Sequence, residues 1–368
     1  MIYLDNAATT LPKPPQVELT VLNAMRSSGS LGRGSHTSAA EASDIAFSCR
    51  QLAGEMFDIT PENVAFTFNA THGANIAIKS LIREGDHVVV SGFEHNAVMR
   101  PLYALGARIT IAGRKLFDQE DTLRAFSRCV TPQTKAVICT HVSNVFGYIL
   151  PIETIADICR ERNVPLIVDA AQSAGILSLS MRKLDAAFIF MPGHKGLYGP
   201  QGTGLLLCGR LPEPVLEGGT GSASRLRTMP DVLPDRVEAG TQNIHGIAGL
   251  AEGIRYVRRL GIENIAAHEK ALVDLLAEKL LDDDRLEMFY DDASQSGVVS
   301  ISMKDISCEE IARRLSQHGI AVRAGLHCAP VAHESGGTLR QGTLRVSFSA
   351  FSGVNDVLAF ADFLHGSK

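Results

Sequence analysis

Five short apolar runs punctuate the first half of the chain: VAFTF at 64–68, HVVVSG at 87–92, AVICT at 136–140, PLIVD at 165–169 and AAFIF at 186–190. Helix-like stretches such as 152–162 separate them. An apolar run of this length without polar alternation reads as a strand buried on both faces, and such strands separated by helix-length intervals pair in parallel through crossovers. The pattern predicts a mostly parallel α/β sheet flanked by helices. Near residue 249 the texture changes. Residues 249–281 read as a linking helix, charged on one side and interrupted only around Gly261. Strand-like GVVSISM (297–303), IAVRAG (320–325) and TLRVSFS (343–349) follow, with a helix opened by the capping box Ser307-x-x-Glu310 and a terminal helix. That half predicts a compact α+β domain. A length of 368 residues fits one large and one small domain. The expected division is 15–250 for the large domain, and 1–14 with 251–368 for the small one.

Ligands of parallel sheets sit beyond the carboxyl ends of the strands, so the residues there matter most. After VAFTF come Asn69, Ala70, Thr71, His72 and Gly73; after HVVVSGF come Glu94 and His95. AVICT is followed by His141, Ser143 and Asn144, PLIVD ends in Asp169 with Gln172 beyond it, and AAFIF leads into Pro192, Gly193, His194 and Lys195. Chemically capable side chains recur at every end.

Composition narrows the chemistry they could serve. With 45% hydrophobic and 20% charged residues the chain is an ordinary globular one, and 35 Lys plus Arg against 40 Asp plus Glu leave a net charge of -5. Such a balance supplies no positive field for nucleic acid or an anionic membrane. Seven cysteines, an odd number without a CxxC pair, argue against a disulfide scaffold and for a reducing compartment. The N-terminal MIYLDNAATT lacks a basic-then-apolar signal, and no run approaches the roughly 18 apolar residues of a membrane span, so a cytoplasmic location is expected. The sequence contains no G-x-G-x-x-G, no G-x-x-x-x-G-K-[ST] and no H-E-x-x-H.

What remains is an anion site, a carboxylate, imidazoles and a lysine on one sheet edge. Thr71 and Gly73 open a helix, where free N–H groups and the dipole favour a phosphate, although the segment alone reads as an N-cap. Asp169 at the end of a buried strand needs a positive partner, either a structural salt bridge or a protonated ring nitrogen. Lys195 precedes the Gly-rich LYGPQGTG, which aims its amine into the cleft. Jointly these are the three contacts pyridoxal phosphate (PLP) asks for: anion hold, ring-nitrogen partner and Schiff-base lysine. In TLRVSFS, Arg345 alternates with Leu344 and Val346 and so lies opposite the small core, solvated or gripping a substrate carboxylate. Cys328 sits in an aperiodic loop with Arg323, His327 and His333 near it in sequence, a setting that favours a nucleophilic thiolate. His327, Cys328 and His333 match no standard zinc spacing, so no metal is expected.

At these residues the chain resembles the class V aminotransferase superfamily of fold-type I PLP enzymes, most closely its cysteine desulfurase and selenocysteine lyase branch. The likeness runs through YLDNAATT, GFEHNAV, HVSNVFG, VDAAQS, GHKGLYGP, EAGTQN, RAGLHCAP and LRVSFSAF. It implies a seven-stranded, mostly parallel sheet in the large domain and a homodimer. It further implies Lys195 as the Schiff-base lysine, Asp169 as partner of the pyridine nitrogen and His95 stacked on the ring. Gln172 would approach the phenolic oxygen; Thr71, His72 and His194 would serve the phosphate, joined by Thr241 from the partner subunit. Asn144 and Arg345 would take the substrate carboxylate, with Ala7 beside the substrate. Two positions depart from the family pattern: Pro192 stands where a phosphate-binding hydroxyl is common, and Leu326 where a histidine is common.

The expected function is therefore a PLP-dependent cysteine desulfurase, a sulfurtransferase taking L-cysteine to L-alanine with a persulfide formed on Cys328, passed on to a sulfur-acceptor protein. Selenocysteine lyase uses the same parts. An aminotransferase or epimerase of this fold would leave Cys328 idle, and a non-catalytic binding protein would use the pocket without chemistry.

Overall fold

In the computed structural model, which describes residues 1–32 and 34–366, the apolar runs become strands of one sheet, four of them inside it and the run at 64–68 at its edge. The chain opens with β1 (Ile2–Tyr3), α1 (Pro15–Ser27) and α2 (Thr37–Phe57). Strands and helices then alternate: β2 (Val64–Thr67), α3 (Ala70–Leu81), β3 (His87–Ser91), α4 (Asn96–Ala104), β4 (Arg108–Ala112), α5 (Gln119–Cys129), β5 (Thr134–Thr140), α6 (Ile152–Glu161), β6 (Leu166–Asp169), the single turn α7 (Met181–Leu184), β7 (Phe188–Pro192) and β8 (Gly204–Cys208). Next come α8 (Ile244–Leu260), α9 (Ile262–Leu280), β9 (Leu286–Phe289), β10 (Val298–Met303), α10 (Cys308–Gln317), β11 (Ile320–Ala321), β12 (Arg323–Gly325), α11 (Pro330–Ser335), β13 (Thr343–Ser347) and α12 (Val354–Gly366).

Seven strands pair in the order β2-β8-β7-β6-β5-β3-β4, all parallel except β8, which runs against both neighbours. Side chains alternate strictly between two cores. Val137, Cys139, Val168 and Ile189 face α2, α5, α6 and α8, while Ala136, Ile138, Ile167 and Phe188 face α3 and α4. Both faces are covered, which is why the runs lack polar alternation.

The second layer of the molecule is a four-stranded antiparallel sheet, β12-β13-β10-β9, whose apolar face packs on α9, α10 and α12. The N-terminus joins it: β1 pairs in parallel with β11, and Leu4 is buried in the same core. Two details differ from the sequence reading. Residues 320–325 are two strands, because β11 turns to β1 whereas β12 turns to β13. The capping box is half formed: Ser307 Oγ accepts the Glu310 N–H at 3.2 Å, but the Glu310 carboxylate pairs with Arg313 and Arg314. The helical stretch after residue 244 is a pair of helices parted at Gly261, whose φ of 86° ends the first. Among the described residues no helix is long and apolar enough to cross a membrane.

Candidate active site

A cavity of about 230 Å³ opens at the carboxyl ends of β5, β6 and β7, where the small sheet leans over the large one. Its lining includes Ala7, Thr71, His95, Asn144, Asp169, Gln172, His194, Lys195, Cys328 and Arg345, so ten of the residues singled out from sequence meet in one space.

Asp169 closes β6 opposite Thr140 of β5 and accepts the Ala171 N–H at 2.8 Å. Burial pushes its carboxyl up to about 6, opposed by that hydrogen bond and by Lys195. Lys195 sits in the turn after β7, and its amine has no hydrogen-bond or ion-pair partner among the described residues. Burial, then the Arg345 charge, lowers it to about 8 against the pull of Asp169. His95 caps α4: its Nδ1 accepts the Ala97 N–H at 2.9 Å, which leaves the proton of the neutral ring on Nε2. Burial and the Lys195 charge lower this imidazole to about 4, so it is uncharged at neutral pH.

At the other end of the cavity, Asn69 caps α3 by accepting the His72 N–H at 2.9 Å, leaving the Ala70 and Thr71 amides and the exposed Thr71 hydroxyl free for an anion. His194 adds a ring whose buried Nδ1 has no partner, lowered to about 4 chiefly by burial. Its carbonyl is held by the Thr10 N–H at 3.1 Å and by the Lys13 amine at 2.8 Å. Pro192, the last residue of β7, lines this end without a donor. His72 does not: its ring stacks on Phe68 at 4.5 Å and 13°. Thr241 lines a separate cavity of about 670 Å³ with Arg50, Gly219 and Glu238.

Another wall of the cavity is built around Arg345, which is 2% exposed. Its Nη2 meets Asp5 Oδ1 at 2.7 Å, its Nη1 donates to the Asn144 carbonyl at 3.0 Å, and its Nε is buried without a partner. Gln172 Nε2 donates to the Ala7 carbonyl at 3.0 Å. Cys328 is exposed at the rim; the other six cysteines are buried or half-buried, and all seven are free. The histidines near it in sequence bring no positive charge. Burial lowers His327 to about 2 and His333 to about 4, so both are neutral, and their rings rest on Thr343 and Thr338. Arg323, in contrast, lines the cavity.

Two contributors, Asp5 and Asn96, were given no part in the site by the sequence pattern, and a third, Glu94, was named at its strand end without a role. Asp5 holds Arg345 from 340 positions away. The Asn96 N–H holds the Cys328 carbonyl at 2.8 Å. Glu94, wholly buried beneath the site, accepts the Thr140 N–H and the Ser91 hydroxyl on Oε1 and leaves Oε2 unpaired; burial pushes it to about 8, keeping it protonated at neutral pH. Its place beside His95 in GFEHNAV was the available signal.

Comparison with known proteins points one way. The aminotransferase class-V family matches residues 2–360. A probable cysteine desulfurase of Pyrococcus abyssi is 32% identical, covering 99% of this chain and 93% of its own length. One of Staphylococcus epidermidis is 34% identical over 100% of this chain and 92% of its own. Among solved structures, the apo cysteine desulfurase of Thermococcus onnurineus NA1 superposes with a TM-score of 0.88 at 30% identity, covering 99% of this chain and 93% of that one.

Proposed function

The chain belongs to the aminotransferase class-V family, and on that premise we propose that it is a PLP-dependent cysteine desulfurase, converting L-cysteine to L-alanine and keeping the sulfur on Cys328. The observation that carries this reading is one cavity gathering Lys195, Asp169, His95 and Arg345 with an exposed thiol at its rim.

The residues fit PLP. An unpartnered amine, a buried carboxyl, free helix amides and an unpaired His194 nitrogen are the groups its aldehyde, ring nitrogen and phosphate require. Lys195 would hold its aldehyde and Asp169 its ring nitrogen, Thr71 and His194 its phosphate, His95 and Gln172 its ring, with Thr241 reaching the phosphate from a second copy in a homodimer. Bound there, PLP supplies the electron sink that makes a substrate Cα proton removable.

The chain's own side chains then divide the work. Arg345, fixed by Asp5 and keeping Nε free, takes the substrate carboxylate together with Asn144. Lys195, with its amine lowered toward neutral pH, takes the proton from substrate Cα. Cys328 Sγ attacks the substrate sulfur: one S–S bond forms, the Cβ–S bond breaks, and the proton of the Cys328 thiol ends on Cβ, so that Cys328-SH and cysteine become Cys328-S-SH and alanine. Exposure of Cys328 at the rim lets an acceptor protein reach the outer sulfur.

Incubation with L-cysteine and a reductant tests the reading. Alanine and sulfide are expected in equal amounts. 3-Mercaptopyruvate, with neither alanine nor sulfide, would replace desulfuration by transamination.

A further inference from the structure

The loop presenting Cys328 is strained. His327 and Cys328 both hold left-handed backbone, with φ of 48° and 57°. Side-chain-bearing residues enter this region singly, and two in succession persist only where their surroundings hold them. The loop runs between β12 and α11 of the small layer, yet two of its carbonyls are gripped from the large sheet. Asn144, just beyond β5, donates from Nδ2 to the His327 carbonyl at 2.9 Å. The N–H of Asn96, the first residue of α4, donates to the Cys328 carbonyl at 2.8 Å. On the small side, the Ala329 N–H closes onto the Leu326 carbonyl at 2.9 Å, and His327 Nε2 meets Thr343 Oγ1 at 3.2 Å. Asn144 is fixed at its other end, where its carbonyl accepts from Arg345.

We infer that Asn144 is a positioning residue for Cys328: its side-chain amide holds the strained loop with the thiol at the cavity rim, and its carbonyl ties that loop to the arginine that meets the substrate carboxylate. The inference rests on the reading of Cys328 as the sulfur-accepting nucleophile. It gives Asn144 work beyond binding substrate, because the donor is already spent on His327 when no substrate is present. The Asn96 half of the grip is a backbone N–H that no side-chain substitution deletes, so Asn144 is the half open to test.

Two holoenzyme variants serve. Asn144→Ala removes the donor, and Asn144→Asp, of the same size, sets an acceptor against a carbonyl. Without substrate, hydrogen–deuterium exchange of the 323–330 peptide is expected to accelerate at least about tenfold in both. With L-cysteine, kcat for alanine formation is expected to fall at least about tenfold, beyond whatever rise in KM follows from the lost carboxylate contact. If Asn144→Ala does not fold, Asn144→Asp decides alone. Exchange within about twofold of wild type, with KM raised and kcat kept, would overturn the inference and leave Asn144 a substrate ligand only. A Cys328→Ser enzyme releasing sulfide at the wild-type rate would instead remove the reading of Cys328 as the nucleophile, while the exchange rates, which need no substrate, still decide whether Asn144 holds the loop.

Discussion

Burial is what suits Lys195 to the role of base that we propose for it. Surrounded by protein and facing the Arg345 guanidinium, its amine loses the ammonium proton near pH 8 rather than near its ordinary 10.5. The unprotonated fraction grows as pH rises through that value, so kcat for alanine formation should climb toward about pH 8 and then level. His95, already neutral above about 4, contributes no limb in that range. Lys195→Arg keeps a charge but no base, and should lower kcat by roughly 10² to 10⁴-fold. Rates measured across the pH range check both statements; a flat profile would contradict them. At this scale the sequence was legible where a side chain acts from a strand end or an alternating strand: Asp169, Lys195 and the inward face of Arg345. It was silent on Asp5, since no local pattern reports a partner 340 positions away. It also suggested charge around Cys328 from His327 and His333, which burial removes.

Strands that are apolar on both faces were legible because helices cover the sheet on both sides, β2 at one edge included. β4 escaped because it is a half-exposed edge strand, and β8 because it is an antiparallel strand reached through the glycine-rich turn rather than a helix. The Glu238 anchor escaped as well. This residue stands three positions before Thr241 in EAGTQN, and Arg50 of α2 grips its carboxylate with both terminal nitrogens, at 2.9 and 2.8 Å. Glu238 Oε1 also accepts the Phe66 N–H of β2 at 2.7 Å, and the guanidinium lies 4.0 Å above the Phe66 ring. The pair joins α2, the edge strand β2 and the segment entering α8. Glu238→Ala leaves a buried guanidinium unpaired and should cost about 3–5 kcal/mol, read as a lower denaturant midpoint. A loss under about 1 kcal/mol would show that the segment is held by other contacts.

The whole molecule stores protons that its unfolded chain would release. Glu94 and Glu269 are buried deeply enough to be pushed up to about 8 from an ordinary 4.5, and Glu269 has no hydrogen-bond partner among the described residues. A carboxyl whose folded value is raised favours the folded state fully below about 4.5, and that contribution is lost as pH rises through about 8. Glu269→Gln should therefore flatten the fall in melting temperature between pH 5 and pH 8, leaving the variant more stable than wild type at pH 8 by on the order of 1 kcal/mol. Parallel slopes for the two proteins would mean the carboxyl is ionised in the fold. The proposed function too is a property of the whole, since the proposed nucleophile, Cys328, comes from the small layer and the proposed base, Lys195, from the large one. Mass analysis of the Cys328 peptide after a single turnover of L-cysteine without reductant tests that union most directly. The peptide should be heavier by one sulfur atom, in step with the alanine formed. Alanine accumulating over an unmodified Cys328 would contradict it.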